Sequence, residues 1–203
     1  MNQTIEYYNQ NAAEFCDKHD SVRLGAFYEA MRLEFSKGSK LIEIGCGSGR
    51  DAALAIQDGY DVIALDGSEN LLKEIPKRHP ELAGKLYFAI LPAKLDFQDG
   101  YFDGFYSVAC LMHFSEEELK ETLIEIKRII KPSGKGLVSV PACRADVTDE
   151  GVDIYNRVFH LRTLEEWTII FNECGFTAIA GEPEPDKLGR EGVWWRTFKL
   201  IKH

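Results

Sequence analysis

The sequence predicts an α/β fold of the doubly wound type: a seven-stranded, mostly parallel sheet with an antiparallel C-terminal strand. From residue 40 onward, short apolar segments alternate with segments whose apolar residues recur at helical spacing. The last part of the chain, from Phe176, departs from this alternation and is typical of a terminal hairpin. Strands that alternate with helices form right-handed βαβ units, which build a parallel sheet covered by helices on both faces.

Each element has a local signal. Before the first strand, apolar stripes in residues 2–35 predict two helices placed to cover a pocket. Later helices begin at a Ser68 cap and at two Ser/Thr-x-x-Glu capping boxes, which open at Ser115 and Thr163. The predicted strands cover seven segments: 40–44, 61–65, 86–90, 102–109, 136–140, 176–180 and 193–201.

Length and composition fit one globular domain over residues 1–203, with a helical cap in 1–36 and a substrate-side lid in 141–162. The formal net charge of −9 disfavours a nucleic-acid or membrane partner, since both need a basic surface. Five scattered cysteines without a Cys-x-x-Cys pair, and no apolar signal core, favour reduced thiols, no metal site and a cytoplasmic location. The oligomeric state is left open.

A glycine-rich turn follows the first strand directly, at positions 45, 47 and 49. In a doubly wound sheet, ligands bind beyond the carboxyl ends of the strands, and glycines let a ligand approach the backbone closely. Asp66 ends the second strand, about 20 residues further on, where a carboxylate can accept the hydroxyl protons of an adenosine ribose. Its alternative role is to cap the next helix.

The cofactor choice depends on Glu43 and Arg50. A carboxylate inside an apolar strand needs a cationic partner, which S-adenosylmethionine (SAM) provides and a dinucleotide pyrophosphate does not. Arg50 also stands where the dinucleotide motif has its third glycine. Both residues favour SAM. An NAD-dependent oxidoreductase and a non-catalytic SAM-binding protein remain as alternatives.

Four segments, 41–52, 62–68, 101–107 and 128–140, resemble in this order the motifs of class I SAM-dependent methyltransferases, nearest to small bacterial enzymes of the ubiquinone and tellurite-resistance-like group. The resemblance spans about residues 5–202. It implies transfer of a methyl group from SAM, and the acidic chain without added domains favours a small-molecule acceptor. Motifs and resemblance together give the expected cofactor contacts: Tyr7, Glu43, Gly45, Cys46, Gly47, Gly49, Arg50, Asp66, Gly67, Ser68, Ala93, Lys94 and Cys110.

Two assignments depart from that family pattern or go beyond it. After the third strand the family often has an acid for the adenine amine, whereas here backbone groups of Ala93 and Lys94 are expected to replace it. His113, just past the fourth strand, is the candidate catalytic base; a packed histidine that opens the next helix is the other interpretation. In the lid, Arg144 and Tyr155 are expected to be surface or packing residues. The atom that receives the methyl group is not predicted.

Overall fold

The computed structural model describes residues 3–203 and confirms the predicted fold class. Its strands are β1 (Lys40–Ile44), β2 (Asp61–Asp66), β3 (Leu86–Phe88), β4 (Phe102–Val108), β5 (Ile130–Arg144), β6 (Phe176–Pro185) and β7 (Val193–Lys202). They form one sheet in the order β3-β2-β1-β4-β5-β7-β6. The first five strands are parallel, and β7 lies antiparallel between β5 and β6. The strand order reverses at β1 and β4, which makes their carboxyl ends the expected binding edge.

The helices carry the caps that the sequence predicts. Ser115 and Thr163 each form a complete capping box, and the Ser68 hydroxyl accepts a hydrogen bond from the Leu71 backbone N–H. Short 3-10 helices cover Pro80–Leu82 and Leu111–His113. The α-helices are α1 (Gln3–Gln10), α2 (Ala12–His19), α3 (Gly25–Glu34), α4 (Arg50–Gln57), α5 (Glu69–Arg78), α6 (Glu116–Ile129) and α7 (Leu164–Glu173).

The prediction of two helices before the first strand was wrong, because the described residues before β1 form three: α1, α2 and α3. The break lies at Asn11, whose φ of −117° and ψ of 22° are not helical. The Asn11 side-chain amide donates to the Tyr7 carbonyl at 2.8 Å and so competes with the helical pattern. The apolar stripe nevertheless continues across the break, since the rings of Tyr8 and Phe15 pack edge to face at 5.1 Å.

β5 is longer than the predicted 136–140, because its carboxyl end pairs with β7 as far as Arg144 and Val193. Residues 141–144, assigned to the lid by the sequence, therefore belong to the sheet. The following stretch consists of turns and two isolated bridges, Val147–Asp153 and Val152–Val158. The role of that stretch as a lid stays a prediction.

The sheet is buried on both faces. On β1, Ile42 and Ile44 pack with residues of α6 and α7, whereas Leu41 packs with α3 and α4 on the opposite face. Full burial on two sides explains the continuous apolar run of β1. In residues 3–203, every helix is too short or too polar to cross a membrane.

Candidate active site

A cavity of about 240 Å³ lies at the carboxyl ends of β1, β2, β4 and β5. Eight of the fourteen predicted site residues line it: Gly45, Cys46, Gly47, Arg50, Asp66, Gly67, Cys110 and His113. Six do not: Tyr7, Glu43, Gly49, Ser68, Ala93 and Lys94. Tyr7 lines an adjoining outer cavity instead. The structure thus brings the glycine turn, the end of β2 and the end of β4 together, while the individual contacts stay predictions.

The glycine turn has a backbone that only glycine adopts easily. Gly45 has a φ of 73° and Gly47 a φ of 55°, both in the left-handed region. A Cβ atom at Gly45 would overlap the Cys110 side chain, and one at Gly47 would lie 3.2 Å from the Phe15 ring. The N–H groups of Gly45 and Cys46 both donate to the Leu65 carbonyl, at 2.8 and 2.9 Å. The turn is therefore anchored to β2 and presents its backbone to the cavity.

Asp66 is buried and connects the turn to the start of α5. One carboxylate oxygen accepts the Gly47 N–H at 2.9 Å, and the other accepts the Ser68 N–H at 2.8 Å. Burial raises the pKa of Asp66 to about 6, against these hydrogen bonds, so the group is mostly ionised at pH 7. A carboxylate can accept about four hydrogen bonds, so these backbone contacts leave room for a ligand hydroxyl.

Glu43 does not line the cavity. Its side chain is buried behind the turn, where it accepts a hydrogen bond from the Tyr106 hydroxyl at 3.3 Å. Burial, together with the nearby Asp51 carboxylate, raises the pKa of Glu43 well above its usual range, and the nearby Arg50 guanidinium opposes this shift. The contribution of Glu43 to the choice of SAM over NAD stays a prediction.

Arg50 forms a cationic wall of the cavity at the start of α4. Its guanidinium binds Asp51 through Nε and Nη2, at 2.8 and 2.7 Å, and its Nη1 donates to the His19 carbonyl at 3.1 Å. The Tyr28 hydroxyl donates to the same Asp51 carboxylate. This cation lies beside the first N–H groups of α4, which have no carbonyl partner within the helix. This combination suits the carboxylate of an amino-acid ligand.

Past β3, the cavity is lined by Ala89 and Leu91 rather than by Ala93 and Lys94. β3 ends at Phe88, two residues earlier than predicted, and the Ala89 N–H still donates to the Asp66 carbonyl at 3.2 Å. The chain therefore leaves β3 and reaches the cavity two residues earlier than the predicted end of that strand. The two lining side chains are apolar, which suits contact with a heterocyclic base.

His113 lies at the cavity wall in the short 3-10 helix before α6. Its Nδ1 is 2.6 Å from the Val158 carbonyl, which can only accept, so Nδ1 carries the proton. Its Nε2 is 3.4 Å from the Tyr8 hydroxyl, which accepts a hydrogen bond from Arg157 Nη1 at 3.1 Å. Burial lowers the pKa of His113 to about 4, so the imidazole is neutral at pH 7, with Nε2 as an acceptor.

A second group of cavity residues was missed by the sequence analysis. Arg144, expected to be a surface or packing residue, is buried and lines the cavity, with its guanidinium 4.4 Å from the centre of the Phe159 ring. Arg157 pairs with Asp153 at 2.6 Å, and four aromatic rings surround its guanidinium at 5.1–5.7 Å. These contacts join residues up to 150 positions apart, so no local motif signals them.

The chain is similar to known methyltransferases. A family described as "Methyltransferase domain" matches residues 42–138. The chain is 24% identical over 156 residues to the O-methyltransferase resE of Aspergillus sclerotiorum, an alignment that covers 73% of this chain and 58% of the relative. The alignments cover 58% of this relative and 55% of the methyltransferase GfsG of Streptomyces halstedii, and half or less of the other curated relatives.

Solved structures show the same fold. The 1,6-didemethyltoxoflavin-N1-methyltransferase of Burkholderia thailandensis, with its acceptor and S-adenosylhomocysteine (SAH) bound, superposes with a TM-score of 0.72 at 18% identity, covering 98% of this chain and 84% of that one. The [4+2]-cyclase SpnF superposes with a TM-score of 0.70 at 15% identity, covering 98% and 92%. At these identities the likeness concerns the fold alone.

Proposed function

We propose, from the premise that this chain belongs to the class I SAM-dependent methyltransferase family, that it binds SAM in this cavity and transfers the methyl group to a small-molecule acceptor. One observation carries the proposal. A single cavity connects a backbone turn and a buried carboxylate, both suited to SAM, with a separate end that contains His113 and aromatic side chains. A donor and an acceptor can therefore lie in contact inside it.

The residues present fit the cofactor. We expect the Asp66 carboxylate to accept the two ribose hydroxyls, and the turn from Gly45 to Gly47 to contact the amino-acid part. Arg50 lines the cavity, and its positive charge suits the carboxylate of that part. Ala89 and Leu91 supply apolar contacts for adenine in place of the positions expected from the sequence. When bound, SAM supplies a methyl carbon activated by its positively charged sulfur.

The protein contributes alignment and a proton acceptor. In methyl transfer, the acceptor's lone pair forms the new bond to carbon as the carbon–sulfur bond breaks, so much of the acceleration comes from holding the reacting atoms in line. The Nε2 atom of His113 is unprotonated and lies at the cavity wall, 3.4 Å from the Tyr8 hydroxyl. An acceptor that displaces this hydroxyl can give its proton to Nε2 of His113. Because its pKa is about 4, it acts as a weak base and mainly orients the acceptor.

Calorimetric titration with SAH and with NAD tests the cofactor, and labelled SAM with a panel of small acceptors tests the transfer. We expect one SAH to bind each chain, no binding of NAD, and label in at least one acceptor. NAD binding without SAH binding would instead indicate an oxidoreductase.

A second candidate function is SAM binding without methyl transfer, because one protein of the same fold is named as a cyclase. Tight SAH binding without label transfer to any acceptor of a broad panel would favour this candidate.

A further inference from the structure

We infer that the acceptor is a small planar carboxylate and that Arg144 binds its carboxylate group, an inference that rests on the proposed function. Arg144 ends β5, two strands away from β1 and its glycine turn. Its side chain is only 2% exposed, yet it lines the cavity. A guanidinium that is buried and faces a cavity requires partners for its N–H groups.

The guanidinium is only partly satisfied within the protein. Nε and Nη2 donate to the two oxygens of Asp146, at 2.6 and 2.7 Å. Among residues 3–203, Nη1 has no hydrogen-bond partner, and it is not one of the fully enclosed unpaired atoms. The edge formed by Nη1 and the second N–H of Nη2 is therefore open to the cavity. This edge matches a carboxylate, which accepts two parallel hydrogen bonds from such a fork.

Aromatic rings flank this position. The guanidinium lies 4.4 Å from the centre of the Phe159 ring and 5.9 Å from that of Trp195. The Trp195 indole N–H donates to Asp186 at 2.8 Å, which fixes the orientation of the ring. Two aromatic side chains with restricted orientation favour a flat ligand over a bulky aliphatic one.

The distances also indicate the size of the acceptor. Phe159 contacts both Arg144 and the His113 imidazole, with a centroid distance of 4.6 Å to His113. The proposed carboxylate anchor and the proposed proton acceptor are therefore neighbours of the same ring, close enough for one small molecule to reach both. We expect an acceptor with one ring between its carboxylate and its hydroxyl or other protic nucleophile.

Charge in this region opposes a cationic acceptor. The Asp186 side chain is 4% exposed, and its oxygens accept hydrogen bonds from Trp195, the Arg190 side chain and the Leu188 N–H. Glu184, which also lines the cavity, is paired with Lys187 at 3.5 Å. The acids at this end are thus already partnered, whereas Arg144 retains an open edge. An anionic acceptor would also be attracted by the positive sulfur of SAM.

Two hydroxyl groups complete the wall. Ser139 on β5 and Thr197 on β7 are directly opposite each other, and both line the cavity. They are suited to a second polar substituent on the ring of the acceptor.

The test measures the binding of matched acid and amide pairs to the SAH-loaded protein at pH 7.5. The probes are 4-hydroxybenzoate, 3-hydroxybenzoate and 4-hydroxyphenylacetate, each beside its uncharged primary amide. We expect at least one acid to bind at least about tenfold more tightly than its amide, because only the carboxylate accepts two charge-assisted hydrogen bonds from the guanidinium. Arg144→Met combined with Asp146→Asn removes the fork without leaving an unpaired carboxylate, and it should abolish the preference while SAH affinity stays unchanged.

The matched control is Lys187→Met, which removes one positive charge from the same cavity and leaves Arg144 intact. The acid preference should persist in this control. Equal affinity for acid and amide in the unmodified protein, no binding of any acid, or a preference that survives loss of Arg144 would each overturn the inference. If uncharged acceptors are methylated and acids are not, the inference fails while the proposed function stands. Failure of SAH itself to bind would overturn both.

Discussion

The two ends of the cavity are built in different ways. At the cofactor end, backbone N–H groups and one carboxylate define the site over residues 45–68, a short continuous stretch. At the acceptor end, side chains from α1, β5, β7 and the 146–160 stretch meet over long sequence separations. Backbone geometry leaves little freedom for variation, whereas side chains can be exchanged singly. The comparison predicts that the cofactor end tolerates few substitutions and that the acceptor end determines which molecule is methylated.

The largest effect should come from Gly47→Val. A β-branched residue at a φ of 55° is strained, and its side chain would extend into the space beside Phe15. SAH affinity measured by calorimetry should fall more than about 100-fold, from ~3 kcal/mol of combined strain and lost contact. Gly38→Val is the matched control: its φ is 82°, and no atom lies within 4 Å of the added Cβ. Equal loss of affinity in both variants would mean that the turn does not bind the cofactor.

The next effect concerns turnover rather than cofactor binding. His113→Phe keeps a flat ring but removes the Nε2 atom that orients the acceptor and takes its proton, so kcat should fall about 100-fold, the lower end for a positioned acid–base group. SAH affinity should not change. His160→Phe, outside the cavity lining, is the control and should keep full kcat. If kcat survives in His113→Phe, the histidine is only a packing residue.

Asp66→Asn should weaken SAH binding by ~1.5–3 kcal/mol, because a hydrogen bond to a charged group is replaced by one to a neutral amide. Ser139→Ala, at the other end of the cavity, is the control and should leave SAH affinity unchanged. An undiminished affinity in the Asp66 variant would remove the ribose role of this carboxylate.

The same carboxylate predicts a pH dependence. Because burial raises the pKa of Asp66 to about 6, the group gains a proton as the pH falls through 6 and then accepts ribose hydroxyls less well. SAH affinity should therefore decrease by up to about tenfold between pH 7 and pH 5, on the scale of one pKa unit per 1.36 kcal/mol. The decrease should be absent in Asp66→Asn. A flat profile in the unmodified protein would contradict the ionised role.

The smallest effect concerns the connection between α1 and the 146–160 stretch. Arg157 joins them through Asp153, the Tyr8 hydroxyl and the surrounding rings. Replacing both ends of the ion pair, Arg157→Met with Asp153→Asn, should accelerate amide hydrogen exchange in residues 3–19 and 146–158 by roughly threefold to tenfold, the loss of ~1 kcal/mol of cation–π and hydrogen-bond energy. Exchange in residues 40–66 should not change. Uniform acceleration across the chain would instead indicate general destabilisation.

What could be predicted from the sequence follows the same division. The alternation of strands and helices, the capping boxes at Ser115 and Thr163, the glycine turn and the placement of Asp66 depend on neighbouring residues, so local patterns are sufficient for them. The break at Asn11 and the extension of β5 to Arg144 were not predicted. The first depends on a side chain that binds its own backbone, and the second on pairing with a strand about 50 residues away.

The electrostatics of the site were the hardest part to predict. The pKa of Glu43 is raised by complete burial and by the nearby Asp51, which only the folded chain brings together. The place of Arg144 in the cavity wall was not predicted for the same reason, since it depends on contacts with Phe159 and Trp195 from distant positions.

A structure of the complex with SAH tests the central claim most directly. We predict that both ribose hydroxyls lie within hydrogen-bonding distance of the Asp66 carboxylate and that the amino-acid portion contacts the backbone from Gly45 to Gly47. The sulfur should then point toward the end of the cavity that holds His113 and Arg144. SAH bound elsewhere, or bound with its ribose away from Asp66, would contradict the proposed site.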